Sequence, residues 1–397
     1  MPILPAIAGG QPVRREMLPY ARQWIDEDDI AAVTEVLKGE FLTTGPKIRE
    51  FEEKFARYVG ARYAVAVANG TAALHAAVFA AGIGPGDEVI TTPMTFAASA
   101  NCVLYQGGEV VFADIKPDDG NIDPAEIEFK LTGRTKAVIP VHFAGCPADL
   151  REIHALAGKH GLVVIEDAAH ALGASYQGKK IGGLSQMTIF SFHPVKHITT
   201  GEGGMVTTND PELYKRLVMF RNHGITRDRR ELTEDAGPWY YEMQCLGYNY
   251  RLTDIQAALG ITQLRKSDLF LQKRREISRC YTEGFADLPE ISAPSQQSDR
   301  DSAWHLYIIR LNMETLKVDR RRIFEALRAE NIGVNVHYMP VYRQPYYKSL
   351  GYTKGLCPEA ERLYSGIITL PLFPKMNDRD INDVIAAVRK VIIYYRR

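Results

Sequence analysis

Lys196 stands in the stretch SFHPVKHITTGEGG (191–204), between a short apolar-alternating run and a glycine-rich loop that leads into another strand. A lysine at such a corner is held by rigid backbone on both sides, and its amine, when neutral, is both a nucleophile and a base. Taken alone it reads equally as an exposed, solvated cation, as most lysines are. Asp167 adds to it. This residue ends the apolar stretch LVVIED (162–167), and a carboxylate at the tip of a buried strand must be solvated, paired or chemically engaged.

A carboxylate so placed can hold a heteroaromatic nitrogen protonated, which is what pyridoxal phosphate (PLP) requires when its ring serves as an electron sink. Lys196 and Asp167 would then share one cofactor. A phosphate needs a cradle, and ANGTAAL (68–74) offers one: Gly70 and Thr71 fall between an apolar strand and a helix, at a helix N-terminus rich in free N–H groups. The same junction also reads as an ordinary helix cap. Ser191, five residues before Lys196, can add a hydroxyl to that phosphate, and Phe96 can stack on a flat ring, although an aromatic there reads equally as core.

These residues follow strands in a regular rhythm. Ile48, Phe51, Phe55 and Val59 recur at helical spacing, YAVAVA (63–68) reads as a buried strand, and TAALHAAVFAAG as a helix closed by Gly82. DEVITTP, a helix from Thr95 to about Gln106, EVVFADI, KAVIPVHFAG, a helix from Ala148 to about His160, and LVVIED repeat the alternation. The pattern predicts an α/β fold whose mostly parallel sheet is covered by helices on both faces. In such sheets ligands sit at the carboxyl ends of the strands, which directs attention to residues 69–71, 91–96, 166–170 and the Lys196 corner. Beyond TDIQAALGITQLRK the texture changes to a long charged helix (about 266–286), a Ser/Pro/Asp-rich stretch, and a mixture including WHLYIIRL, VNVHYMP, IITLPL and a final helix from about Asn377. We therefore expect a large domain over 1–265 and a smaller α+β domain over 266–397.

Composition narrows the class. In 397 residues, Lys+Arg and Asp+Glu are both 48, so no global field recruits nucleic acid or an anionic membrane, and anions must be caught locally. The five cysteines are scattered without metal-ligand spacing, and no apolar run approaches the ~20 residues of a membrane span. Metal is not expected; a cytoplasmic protein with reduced thiols is.

EDAAHALGA (166–174), SFHPVKHITTGEGG, ANGTAAL, TTPMTFAAS (91–99) and LGYNYRLTDIQAALG (246–260), in that set and at these intervals, resemble the DegT/DnrJ/EryC1/StrS family of PLP-dependent sugar aminotransferases. The resemblance runs from about residue 16 to the C-terminus. It implies the type I fold of PLP-dependent transferases, similar to aspartate aminotransferase. It further implies that Lys196 carries PLP through its amine, that Asp167 pairs with the pyridine nitrogen, and that His170 lies near the phenolic oxygen. Phe96 would stack on the ring, and Gly70, Thr71 and Ser191 would bind phosphate. The family also places the asparagine of its GxNxR motif, here Asn249, on the neighbouring subunit's cofactor, which implies a homodimer with shared sites.

Within the family, the SFHxxKxITTxEGG form and VHYMPVY (336–342) are similar to members on the route to pseudaminic acid, which aminate C4 of a UDP-linked 4-keto-6-deoxy sugar. L-glutamate is the implied donor, with pyridoxamine phosphate as the cofactor's amino form. His337 and Tyr338 are candidates to contact the sugar nucleotide, and read equally as strand residues facing core and solvent. The charge run ITRDRREL (225–232) can meet a diphosphate but reads foremost as a solvated face. A D-configured 4-keto or a 3-keto sugar remains open, as does a non-catalytic regulatory member; the retained lysine argues against the dehydratases of this scaffold, in which a histidine replaces it.

Overall fold

The computed structural model describes residues 4–234 and 236–397; residues 1–3, which fall in the expected large domain, and Asp235 lie outside that description. Seven strands form the central sheet: β1 (Tyr63–Val67), β2 (Glu88–Thr91), β3 (Glu109–Phe112), β4 (Thr135–Ile139), β5 (Val163–Asp167), β6 (Met187–Ser191) and β7 (Gly204–Thr208). Their order is β1-β7-β6-β5-β4-β2-β3, and β7 alone runs against the other six. The strands are apolar on both faces because helices cover both, as the run-like rather than alternating pattern of YAVAV requires.

On one face, the helix Pro46–Val59 opens on proline and closes on Gly60, and its Ile48, Phe51, Phe55 and Val59 stripe is buried. Phe51 and Phe55 pack against Phe192, each with ring centroids 5.4 Å away, so this helix braces the backbone four residues before Lys196. On the other, the helix Gly70–Ala80 is apolar nearly all round, as a helix enclosed by sheet and neighbours must be.

A second, three-stranded antiparallel sheet joins β8 (Ile291–Ser292), β9 (Tyr307–Leu311) and β10 (Ile367–Leu370), in that order. Its apolar cluster draws on the helices Ser267–Phe285, Arg320–Ala329 and Asp378–Tyr395 and also receives Leu18. The N-terminal segment is tied there by backbone: Gly333 N donates to Leu18 O at 2.7 Å, and Leu372 N to Tyr20 O at 3.0 Å.

Two local expectations shift. The helix after β2 spans Ala98–Tyr105 rather than starting at Thr95, because residues 92–97 form a loop in which the Thr95 hydroxyl meets the Ser99 hydroxyl at 2.7 Å. The VNVHYMP stretch is not a strand. Only Asn335 pairs with β10, through Thr369, and the chain then leaves the sheet towards the central one.

Candidate active site

The carboxyl ends of β1, β2, β5 and β6 open into one cavity of about 800 Å³. All four stretches singled out from the sequence line it, as a parallel sheet dictates. Lys196 sits on a turn in which its N–H donates to His193 O at 2.8 Å, between the buried anchors Phe192 and Ile198. The glycines that follow have a steric cause: a Cβ at Gly204 would lie 2.4 Å from Asn69 O, because β7 must pass directly beside the β1 turn that carries Gly70.

The local field suits a reactive amine. Burial pulls Lys196 down to about 8, against the Asp167 carboxylate, which favours the ammonium, and with the help of the Arg274 guanidinium. Part of the Lys196 side chain remains open to the cavity, so a ligand can reach it.

Asp167 ends β5, buried. Its Oδ2 accepts from Ser99 Oγ at 2.7 Å and its Oδ1 from Ala169 N at 3.1 Å. The residue before it is anchored more firmly: Ala148 N donates to His142 Nδ1 at 3.0 Å, so His142 turns its Nε2–H to Glu166, 2.8 Å away. Burial is the largest influence on the Glu166 carboxyl and raises it, but the His142 bond and charge, with Ser185 and His154, together outweigh burial and leave it below the ordinary value. This pair, both members fully enclosed, fixes the strand end that presents Asp167.

His170 is buried and lines the same cavity; its Nε2 lies 3.2 Å from Tyr338 Oη, and its Nδ1 has no hydrogen-bond partner among the described residues. Burial, with Lys196, His337 and His197 nearby, holds its imidazole well below the ordinary value, hence neutral. Gly70 and Thr71 open the helix Gly70–Ala80, capped by Asn69, whose Oδ1 accepts from Ala72 N at 2.8 Å. A Cβ at Gly70 would lie 2.9 Å from Ser191 Cβ, so glycine leaves the space between helix N-terminus and Ser191 hydroxyl open. Phe96 is 64% exposed on the cavity wall, available to a flat ligand and not core.

His337 and Tyr338 reach the cavity too, although they lie on another part of the chain. His337 Nδ1 meets Thr369 Oγ1 at 2.9 Å, and burial lowers its imidazole to about 4. Asn249 is exposed and does not line this cavity. The run 225–232 does not line this cavity, and within it Arg230 and Asp228 pair with one another. Several cavity residues escaped sequence reasoning: Tyr20, Ser99, Glu202, His305, Asn335 and Gln344. Ser99 and Glu202 lie within TTPMTFAAS and SFHPVKHITTGEGG, and His305 stands directly ahead of an apolar strand, which is the signal each offers.

A lysine with a lowered pKa, a buried carboxylate, a partnerless neutral imidazole nitrogen, an open aromatic face and a helix N-terminus kept clear by glycine together fit PLP. The family model described as the DegT/DnrJ/EryC1/StrS aminotransferase family matches residues 23–389. The chain belongs to that family. Spore coat polysaccharide biosynthesis protein SpsC of Bacillus subtilis is 44% identical over 381 residues, covering 96% of this chain and 98% of the relative. Among solved structures, Helicobacter pylori PseC, an aminotransferase involved in the biosynthesis of pseudoaminic acid, matches with a TM-score of 0.89 at 35% identity, covering 96% of this chain and 100% of PseC. The putative sugar aminotransferase Spr1654 of Streptococcus pneumoniae, in its PLP form, matches with a TM-score of 0.89 at 32% identity over 95% of this chain and 99% of its own. A further structure of Spr1654 is its PMP form. The chain is thus a PLP-dependent sugar aminotransferase with the expected fold. No helix of the described residues is long and apolar enough to cross a membrane.

Proposed function

We propose that this aminotransferase moves an amino group from L-glutamate to C4 of a nucleotide-linked 4-keto-6-deoxy sugar, UDP-2-acetamido-2,6-dideoxy-β-L-arabino-hex-4-ulose. The observation that carries the reading is Lys196, its amine drawn towards the neutral form, opening into a cavity of about 800 Å³ that also holds Asp167 and the Gly70 cradle. The likeness to PseC supports the choice of sugar.

PLP, when bound, supplies the electron sink that stabilises charge left on carbon after proton removal. Lys196 would hold it, and its Nζ, when free, would take the α-proton of L-glutamate. In the second half-reaction the same Nζ returns a proton to C4 of the sugar. Asp167, held by Ser99 and the Ala169 N–H, would keep the ring nitrogen protonated. His170 would face the phenolic oxygen and Phe96 cover the ring. Gly70, Thr71 and Ser191 would hold the phosphate, whose charge suits a helix N-terminus. His337 and Tyr338, on the wall nearest the smaller sheet, would meet the sugar nucleotide.

We further propose a homodimer in the cytoplasm, with Asn249 reaching the second subunit's cofactor; its exposure away from its own cavity supports this. A second reading keeps the chemistry and changes the sugar to a D-configured 4-keto or a 3-keto substrate. The higher identity to SpsC than to PseC favours keeping it in view.

The test is an absorption spectrum of the PLP-loaded protein before and after L-glutamate, then with the UDP-linked 4-keto sugar and mass detection of product. A cofactor band that bleaches with glutamate, returns with this sugar and yields an amine at C4 supports the reading. Bleaching without recovery on this sugar refutes the sugar and leaves the transaminase standing.

A further inference from the structure

One buried imidazole on the cavity wall has no part in the chemistry above. His305 lies beside His170 with ring centroids 4.3 Å apart and planes inclined by 32°. His170 in turn lies nearly parallel to Tyr338, at 14° and 6.1 Å, and meets its hydroxyl through Nε2. The His170 ring is therefore bounded by two aromatic neighbours, one of which also bonds it. His305 Nδ1, like His170 Nδ1, has no hydrogen-bond partner among the described residues, so the two rings meet by packing and not by a bond.

The backbone of His305 is secured to an unusual degree. Its N–H donates to Ala144 O at 2.9 Å, and its carbonyl accepts from Arg274 Nη1 at 3.2 Å. Arg274 is buried, has no ion pair with a carboxylate among the described residues, and gives the same nitrogen to Trp304 O and Leu372 O. A buried guanidinium costs free energy unless it is hydrogen-bonded; Nη1 bonds three carbonyls, two of them on the turn that presents His305, while Nε has no partner among the described residues. Gly145 ties that turn to His170. With φ of +102°, it sits where a Cβ would come within 2.8 Å of His170 O and 2.9 Å of both Trp304 N and His305 N. The backbones bearing the two imidazoles thus close on one point that only glycine can occupy.

We propose that His305 is a positioning residue for His170, its ring fixing the imidazole that faces the cofactor. This rests on the reading of His170 as a cofactor residue. The role is one of shape: the ring of His305 restricts His170 to the orientation in which Tyr338 meets it, and the nitrogens of His305 are not required.

The experiment compares His305→Ala, His305→Gln and His305→Phe with the unaltered protein, measuring the PLP dissociation constant and the single-turnover rate of band bleaching by L-glutamate, with no sugar present. Aromatic packing of this kind predicts PLP binding about threefold to tenfold weaker in the Ala and Gln variants, with a similar fall in bleaching rate. His305→Phe, which keeps a ring and loses the nitrogens, should stay within about twofold of the parent. If the Ala variant does not fold, the Gln and Phe variants decide the matter. Parent-like values in His305→Gln, or a Phe variant as impaired as Gln, overturn the proposal. Because no sugar is used, failure of the sugar assignment leaves this result intact. An unaltered protein that binds no PLP would overturn both.

Discussion

Lys196 offers a quantitative test, because its environment makes a claim about how much neutral amine exists near neutrality. Burial draws it to about 8, whereas an unfolded lysine titrates near ~10.4. At pH 7 that shift makes roughly a tenth of the molecules neutral instead of about four in ten thousand, a gain of a few hundredfold in nucleophilic amine. The figure is an upper bound, since the side that faces the cavity lets water re-solvate the ammonium. The signs of the perturbations follow from the causes. Asp167 favours the ammonium, so Asp167→Asn should move the midpoint further down; Arg274 disfavours it, so Arg274→Met should move it up. Isotope-labelled reductive methylation of the PLP-free protein, followed by nuclear magnetic resonance from pH about 6.5 to about 10.5, reads the midpoint directly. Lys196→Arg assigns the signal. Linkage gives a second readout. The unfolded chain holds the extra proton between about 8 and ~10.4, so the contribution of Lys196 to stability rises with pH across that window. A midpoint at or above about 10, or one that moves up in Asp167→Asn, would refute the reasoning.

Lys196→Ala should fold normally and lose turnover by about 10²-fold to 10⁴-fold or more, the range of a missing general base, as read by steady-state rates beside a thermal melt. Asp167→Asn should retain PLP while turnover falls much more than affinity, seen by comparing the dissociation constant with kcat. Gly70→Val should drive side-chain carbon into Ser191 and fill the cradle, weakening PLP by about tenfold to a hundredfold if one charge-assisted phosphate bond is lost, and the overlap should also cost about 1–3 kcal/mol of stability, read as a lowered Tm. Phe51→Ala, in the fully buried cluster with Phe55 and Phe192, should cost about 3–5 kcal/mol in denaturant unfolding and loosen the support of the Lys196 corner.

Much of this protein was legible in the chain. Period and length separated buried strands such as YAVAV from the Ile48, Phe51, Phe55 and Val59 stripe, because those signals are set by the pitch of the backbone and are local. Alternation then implied a parallel sheet, and a parallel sheet gathers the residues after its strands at one edge, so Gly70, Phe96, Asp167, His170, Ser191 and Lys196 came together as expected. What the chain does not carry is the meeting of side chains from distant segments. Ser99 reaches Asp167 across 68 positions and Tyr338 reaches His170 across 168, and neither separation has a periodic signature. For His337 and Tyr338 the chain left a strand and a cavity contact equally open, and tertiary structure decides it by leading the backbone off the sheet edge after Asn335 and sending both to the cavity. The lowering of Lys196 is of the same kind. Residue types alone name a lysine and an aspartate, but burial and the distances among charges decide how they titrate, and those are properties of the folded chain.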